Sequence, residues 1–253
     1  MSTSMSVGFR LLIVMAMAGS ALLSAPLSFS DDFSGPALDP AWNIKPGTGT
    51  YSLSANPGNL RMQVTGSTHP SGDNPSVWLY REFSGAEWTL DTFVDYTMGS
   101  GNGRQITTRV IFGDILDKGF NEINWYRTKD NLGGGGEGNV PTVYIDGGAH
   151  VAGSVIGLSP SDSYYFRVTR SGQHVELLHS QDGSSYTLAL QHDYVTPLGN
   201  DQLVFLSVSS FASGQLAYGD FDYINVEGVP EPGTFGLLAA GLLSVIAFRK
   251  RRG

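Results

Sequence analysis

The sequence predicts an all-β fold, a jelly-roll sandwich of two antiparallel sheets packed face to face. From Asp31 to Gly228, no stretch of 11 or more residues repeats apolar side chains at the i, i+3, i+4, i+7 spacing of an amphipathic helix. Short runs of alternating apolar and polar residues recur instead, with turn signals such as Ser171-Gly172 between them. Because no helices are available for parallel crossovers, the strands are expected to pair antiparallel and to bury one face against a second sheet.

The individual strands can be placed in order along the chain. Each is a run of five to seven residues with alternating character, bounded by Gly, Pro, Asn, Asp or Ser. No segment repeats at a fixed period, which argues against a propeller or a solenoid. The ten predicted strands are Val77–Phe83, Thr92–Met98, Ile106–Phe112, Asn121–Arg127, Thr142–Asp146, Tyr164–Arg170, His174–His179, Tyr186–Gln191, Leu203–Ser209 and Asp220–Val226.

Charge and cysteine content exclude several functions. The 198 residues from 31 to 228 carry 22 acidic and 10 basic side chains, a net charge near −12. A segment this acidic repels polyanions, so no nucleic-acid partner is expected. The chain has no cysteine, which excludes a disulfide scaffold, a thiolate zinc site and a cysteine nucleophile. A segment of about 200 residues buries about 70% of the surface that its unfolded chain exposes. It can therefore fold without disulfides or a structural metal site.

Residues 1–30 have the organisation of a secretory signal peptide. A polar start with Arg10 precedes an apolar run from Leu11 to Leu23, and the small residues of Ser28-Phe29-Ser30 follow. We expect cleavage after Ser30, since a cut after Ala25 would place Pro26 next to the scissile bond. A retained anchor is the alternative, although this run of 13 residues is shorter than the roughly 20 needed to span a bilayer. Either way, the main body of the protein is predicted to be exported.

Residues 229–253 have the organisation of a second targeting signal, at the carboxyl end of the chain. A Pro-Glu-Pro sequence at 230–232 precedes an uncharged run of 15 residues, 234–248. As a transmembrane helix this run would be about 22 Å long against a hydrocarbon core of about 30 Å, a difference that snorkelling or bilayer thinning has to cover. A basic cluster then holds the end of the chain in the cytoplasm, so the residues before Val229 lie across the membrane. The cluster is Arg249, Lys250, Arg251 and Arg252.

This three-part tail resembles the PEP-CTERM sorting signal of Gram-negative bacteria. The resemblance implies that an exosortase, an integral membrane cysteine protease, recognises Pro230, Glu231 and Pro232. The two prolines disfavour a helix, so the segment should stay extended and open to a protease at the membrane face. The implied product is a precursor held at the inner membrane and then a protein of the cell surface or extracellular matrix. An ordinary tail anchor with a chance proline linker is the alternative.

Short motifs at both ends of residues 31–228 point to a fold family. The segment opens with Asp31-Asp32-Phe33 and Leu38-Asp39-Pro40-Ala41-Trp42, continues with Asn59-Leu60-Arg61-Met62 and closes with residues 221–226, Phe-Asp-Tyr-Ile-Asn-Val. Together these motifs resemble concanavalin A-like lectin/glucanase sandwiches. The resemblance implies that the first and last strands lie side by side. Members include lectins, laminin G-like modules, carbohydrate-binding modules and β-glucanases, so the function has to be argued from the site.

One predicted strand carries a degenerate form of a catalytic pattern. In β-glucanases of the family, Glu-x-Asp-x-(x)-Glu on a concave strand sets two carboxyls about a sugar bond, because alternate side chains share a face. The counterpart here is Glu122-Ile123-Asn124-Trp125-Tyr126. Asn124 cannot transfer a proton, and Tyr126 stands where the second acid is needed. We therefore expect no catalysis from this strand, with sugar binding retained or Glu122 left as a solvated surface residue.

Aromatic side chains supply the material for a sugar site. A flat ring stacks on the apolar face of a pyranose, while neighbouring polar groups bind its hydroxyls. On the predicted strand Val77–Phe83, the alternation places Trp78, Tyr80 and Glu82 together. Ordinary packing or surface roles are the alternative for each residue. The predicted ligand contacts are Trp78, Tyr80, Glu122, Asn124 and Tyr126.

A structural calcium is the one cofactor that the sequence raises. Asp220 and Asp222 flank Phe221 near the last predicted strand, which the resemblance places beside the first. Hard cations take several oxygen ligands from adjacent strand ends, so Asp32 and Asp222 are the calcium candidates. Surface acids on an acidic protein are the alternative, and no other cofactor is expected.

The sequence thus predicts three parts: a signal peptide over 1–30, an exported sandwich over 31–228 and a sorting signal over 229–253 with a transmembrane helix at 234–248. The expected function is non-catalytic binding of an extracellular polysaccharide. The expected processing partners are an exosortase-like protease and, before cleavage, the inner membrane. Two alternatives stay open: a glycan hydrolase or lyase whose acids come from different strands, and a purely structural matrix protein.

Overall fold

A computed structural model of the chain describes residues 28–65, 77–98, 104–112, 121–129, 137–145, 149–153, 156–157, 163–210 and 216–229. These residues contain strands and turns without any helix, in agreement with the all-β prediction. The strands in chain order are β1 Phe29–Asp31, β2 Asn43–Lys45, β3 Thr50–Ser52, β4 Leu60–Thr65, β5 Trp78–Ser84, β6 Glu87–Met98, β7 Arg104–Phe112, β8 Asn121–Lys129, β9 Glu137–Ile145, β10 Ala149–Ala152, β11 Ile156–Gly157, β12 Tyr164–Ser171, β13 His174–Ser180, β14 Thr187–Asp193, β15 Asp201–Ser210 and β16 Leu216–Gly228.

The strands form two antiparallel sheets of eight strands each. Sheet I has the order β14-β13-β12-β6-β16-β4-β3, with β1 beside β16. Sheet II has the order β10-β9-β8-β7-β15-β5-β2, with β11 beside β9. Consecutive strands repeatedly cross between the sheets, as β4 to β5 and β15 to β16 do. The predicted jelly-roll sandwich is confirmed.

The core lies between the sheets and follows the two-residue period of each strand. On β8 the buried Ile123 and Trp125 point inward, and on β12 Tyr164, Phe166 and Val168 do the same. Trp125 stacks on Phe166 with ring centroids 4.8 Å apart, which joins the centres of the two sheets. The alternation that predicted these strands therefore also selects the side chains that hold the layers together.

The first and last strands lie side by side, as the family resemblance implied. β1 pairs antiparallel with β16 in the register Phe29↔Val226, Ser30↔Asn225 and Asp31↔Ile224. The opposite edge of β16 pairs with β6 along most of its length, and the pairing ends where Val229 N donates to Glu87 O at 2.9 Å. β1 starts at Phe29, so the sandwich includes residues that the predicted signal peptide contains.

All ten predicted strands correspond to observed ones, and the observed strands are mostly longer. β6, for example, begins at Glu87 rather than Thr92, and β9 begins at Glu137 rather than Thr142. Six strands were not predicted, and each has six residues or fewer: β1, β2, β3, β4, β10 and β11. Over the described ranges no helix is long and apolar enough to cross a membrane. The predicted transmembrane helix at 234–248 and nearly all of the signal peptide lie outside those ranges.

Candidate functional site

The candidate site is the outward face of sheet II, on the side away from the core. On β8 the inward Ile123 and Trp125 alternate with Glu122 and Asn124, which point to the outward face. On β5 the inward Leu79 and Phe83 alternate in the same way with Trp78 and Tyr80. Sheet II thus gathers four of the five predicted ligand contacts on one face. Tyr126 occupies the next outward register position of β8, and its side chain lies outside the described part.

One half of this face is an aromatic cluster built on β5 and β15. The Tyr80 ring stacks on Phe205 at 5.5 Å, and the Trp78 ring meets the same phenyl edge-on at 5.6 Å. Ile111 and Leu203 complete the cluster, which is separate from the main core. Phe205 is buried, whereas Trp78 and Tyr80 are half-buried, so part of each outer ring remains accessible. The ammonium of Lys45 lies 4.3 Å from the centroid of Trp78.

The other half of the face is polar and buried. Glu122, Asn124 and Thr142 are 6%, 4% and 1% exposed, although none of them faces the core. Asn124 Nδ2 donates a hydrogen bond to Glu122 Oε1, which fixes the orientation of the amide. Asn124 Oδ1 and Thr142 Oγ1 are buried, and none of the described residues supplies either oxygen with a hydrogen-bond partner. Burying a polar group without a hydrogen-bond partner lowers the free energy of unfolding.

Strand register relates the two halves. Asn124 pairs with Thr142 on β9 and with Arg109 on β7, and Arg109 pairs with Phe205, which pairs with Tyr80. These positions form one row across five strands. At about 4.8 Å per strand, the row from Thr142 to Tyr80 extends about 19 Å.

The described acids of this face lie about 8 to 14 Å apart by register, and Glu122 is far from the other two. Glu122 is the one acid among its buried described residues. Glu82 lies in the same row as Glu122 but three strands away, about 14 Å, and Asp201 lies about 12 Å from Glu122 by register. Glu82 and Asp201 are diagonal neighbours about 8 Å apart, and both are exposed at the rim.

The two calcium candidates lie beside the β1–β16 pair, on the other sheet. Asp32 Oδ1 accepts hydrogen bonds from Ser34 N and Ser34 Oγ, and these bonds lower the pKa of Asp32. Asp222 is exposed at a register shift in β16. Their neighbour Asp220 is already bound by Arg61 at 2.5 and 2.7 Å. The described ranges contain no group of three or more His or acidic side chains that suits a metal.

Sequence reasoning missed Phe205 and Thr142, which are central to this face. Both lie inside predicted strands, and the period-2 alternation assigns each to the outward side. Phe205 is apolar and therefore suggested a core position, while Thr142 carries no charge or ring to mark it. Only the register, which aligns Phe205 with Tyr80 and Thr142 with Asn124, identifies them.

Family comparisons match both parts of the chain. Residues 228–252 match the PEP-CTERM protein-sorting motif. Residues 30–103 match the β-xylosidase C-terminal concanavalin A-like domain. No curated protein matches the chain as a whole.

Solved structures share the fold at low identity. A xylan β-1,4-xylosidase from Bacillus halodurans C-125 superimposes with a TM-score of 0.56 at 18% identity, over 78% of this chain and 38% of that one. The GH43 protein BlXynB from Bacillus licheniformis gives 0.59 at 17% identity, over 79% and 39%. The chain thus spans about two fifths of these proteins. An immunostimulatory antigen and pseudo β-1,3-glucanase of Mycobacterium tuberculosis gives 0.57 at 15% identity, over 80% and 98%.

The comparisons agree with the fold and with the order of the chain. The concanavalin A-like match begins at residue 30, in β1, and the sorting motif begins at residue 228, where β16 ends. The sorting motif signals export and membrane-anchored processing in Gram-negative bacteria, leading to a location at the cell surface. Residues 228–252 thus carry a PEP-CTERM sorting motif, and the β-sandwich before them matches a concanavalin A-like domain over residues 30–103.

Proposed function

We propose that the exported sandwich binds an extracellular polysaccharide on the outward face of sheet II without cleaving it. The observation that carries the proposal is the aromatic cluster on β5 and β15, where the rings of Trp78 and Tyr80 stay partly accessible beside the buried Phe205. Polar groups lie next to these rings: Glu82 is exposed on the same strand, and the ammonium of Lys45 lies 4.3 Å from the centroid of Trp78. Such groups can form hydrogen bonds with sugar hydroxyls, which both donate and accept.

The packing of these rings suits a sugar ligand. Trp78 and Tyr80 are held in place by contacts with Phe205 on the neighbouring strand, so neither ring loses much freedom when a ligand stacks on it. Stacking on the apolar face of a sugar uses the accessible part of such a ring.

The spacing of carboxylates supports binding without hydrolysis. A glycosidase requires two carboxyls about 5 to 10 Å apart across the scissile bond. By register, Glu82 and Asp201 lie about 14 and 12 Å from Glu122, beyond that range, and the neighbour of Glu122 on the strand is the amide Asn124 rather than an acid. A protein of Mycobacterium tuberculosis that is named a pseudo β-1,3-glucanase has the same fold.

A glycan array is the direct test of binding. We expect the purified exported domain to bind one class of polysaccharide, and Tyr80→Ala to weaken that binding about 10-fold, since stacking on one ring is worth roughly 1 to 2 kcal/mol. The matched control is Tyr165→Ala, a half-buried tyrosine on the outward face of sheet I. Loss of binding in both variants, or no binding by the unaltered domain to any glycan, contradicts the proposal and favours a purely structural matrix protein.

A hydrolase remains the second candidate because of one pair of acids. Glu82 and Asp201 are spaced at about 8 Å, within the range of an inverting pair, although both lie exposed at the rim. The test is release of reducing ends from the glycan that the array identifies. Release that disappears in Glu82→Gln would replace binding by hydrolysis as the function, whereas an intact polysaccharide after prolonged incubation supports binding alone.

A further inference from the structure

Phe29 belongs to the hydrophobic core of the sandwich. Its side chain is 8% exposed. The ring meets Trp42 edge-on at 6.2 Å and Phe83 at 6.3 Å, and the guanidinium of Arg81 lies over it at 4.3 Å. Two segments of the chain, β5 and the residue before β2, thus converge on this phenyl, which closes one end of the core.

The backbone around Phe29 is also hydrogen-bonded to the rest of the sandwich. Residues 29–31 add a strand to the free edge of β16, beyond the end of β4. Ser28 Oγ accepts a hydrogen bond from Gly228 N at 2.9 Å, which ties the residue before β1 to the end of β16. Without β1, the backbone groups of β16 at residues 224–226 would lose their partners on this edge.

Cleavage after Ser30 would remove both contributions. The product starting at Asp31 would lack the Phe29 ring, leaving a cavity between Trp42 and Phe83 and the Arg81 guanidinium without its aromatic partner. It would also place a new charged amino terminus beside Asp31, whose carboxylate receives hydrogen bonds from Phe33 N and Trp42 Nε1. The predicted cleavage position thus conflicts with the packing of the folded domain.

We propose that signal peptidase cuts before Phe29, so that the mature protein retains β1. The sequence contains a suitable upstream position, the small residues Gly19 and Ala21 at −3 and −1 of a cut after Ala21. The apolar run before it, Leu11–Ala18, has eight residues, within the usual length of a signal-peptide core. Six residues, 22–27, then connect the new amino terminus to Ser28.

Amino-terminal sequencing of the full chain, expressed and exported in a Gram-negative host, tests the proposal. We expect the mature protein to begin at Leu22. A first residue anywhere from Ser20 to Phe29 supports retention of β1. A first residue at Ser30 or Asp31, or an uncut chain that keeps its original amino terminus, overturns the proposal.

A variant pair gives a second, independent measurement on the same exported protein. If β1 is retained, Phe29→Ala lowers the Tm of the mature protein by about 10 °C, because a large core side chain is lost. Its control is Ser30→Ala, an exposed neighbour on the same strand, with a change of about 1 °C or less. Loss of soluble Phe29→Ala protein beside normal Ser30→Ala also supports retention. Equal Tm values for Phe29→Ala and the unaltered protein overturn it, because a mature chain starting after Ser30 contains neither residue.

Discussion

The surroundings of His179 oppose its protonation in the folded chain. Its ring stacks on Tyr164 at 6.0 Å and meets Trp125 edge-on at 6.4 Å, and its buried Nδ1 has no partner among the residues that the structure describes. Burial lowers the pKa of His179 below its ordinary value of 6.5, since the apolar surroundings disfavour the imidazolium. In the unfolded chain the same histidine takes up a proton near pH 6.5.

The sign of the effect follows from these two states. Below pH 6.5 the unfolded chain binds a proton that the folded chain does not, so the free energy of unfolding falls as the pH falls. We predict that His179→Phe, which keeps an aromatic ring but cannot titrate, reduces the loss of stability between pH 7.5 and pH 5. Urea unfolding at both pH values measures this. An unchanged loss in the variant would contradict the assignment.

His174 provides the opposite case and the control. Asp193 binds its Nδ1 at 2.8 Å and raises the pKa of His174, so its contribution is complete below pH 6.5 and is lost as the pH rises through the folded value. The ring and its partner are substantially exposed, and solvent screening keeps the effect small. His174→Gln is therefore expected to change the pH dependence slightly and in the opposite direction to His179→Phe.

The long strands show what the sequence could predict at the scale of elements. β12 alternates Tyr164, Phe166 and Val168 with polar neighbours, and such a run has no competing helical interpretation. β1, β2 and β3 have three residues each, too few for a period to be visible, and they form because a neighbouring edge is available for pairing. The local sequence pattern therefore predicts the long strands, whereas the short strands depend on tertiary contacts.

The candidate site was predictable in the same limited way. Alternation placed Trp78 with Tyr80 and Glu122 with Asn124, each pair on its own strand. That both pairs share one face of one sheet depends on β15 and β7 lying between their strands, a long-range arrangement that no local pattern contains. The burial of Asn124 is likewise a tertiary property.

An ion pair between Arg61 and Asp220 joins β4 to β16, and its contribution to the free energy of unfolding can be measured. Arg61 donates from Nε and Nη2 to the two carboxylate oxygens of Asp220, and Asn56 Nδ2 adds a third hydrogen bond at 3.0 Å. Asp220 is 3% exposed, so the carboxylate depends on these donors. The pair raises the pKa of Arg61, which remains charged.

We predict that Asp220→Asn lowers the free energy of unfolding by about 2 kcal/mol, because a bidentate charge-assisted contact is lost in a partly buried position. Asp39→Asn is the matched control, since Asp39 also pairs with an arginine, Arg81, but is largely exposed. Its expected change is about 0.5 kcal/mol or less. Equal losses in the two variants would show that burial does not determine the strength of the Arg61 contact.

At the scale of the whole molecule, the folded sheet extends to the edge of the sorting signal. The last backbone hydrogen bond of the described chain is donated by Val229, and Pro230 follows directly. A proline has no amide hydrogen and cannot extend the ladder. The Pro-Glu-Pro element thus begins directly after the last paired residue of the sandwich.

For processing we predict that Glu231→Gln leaves an uncut precursor in the membrane fraction. The charge that the sorting motif presents between its prolines is lost, while the apolar run and the basic end are kept. The control is Glu227→Gln, an exposed acid four residues earlier that lies in β16 and outside the sorting motif. Immunoblots of membrane and surface fractions compare the two. Normal processing of Glu231→Gln, or equal retention of both variants, would contradict the assigned recognition element.

The most direct test of the account is the effect of Trp78→Ala on stability and on polysaccharide binding, measured with the same preparation. Trp78 is half-buried at the surface of the aromatic cluster, so the account predicts a protein that still folds, with a free energy of unfolding lower by about 2 kcal/mol or less. The glycan identified by the array should bind at least about 10-fold more weakly, since one stacking ring is lost. Unaltered binding by folded Trp78→Ala would contradict the claim that this face of the sandwich is the polysaccharide site.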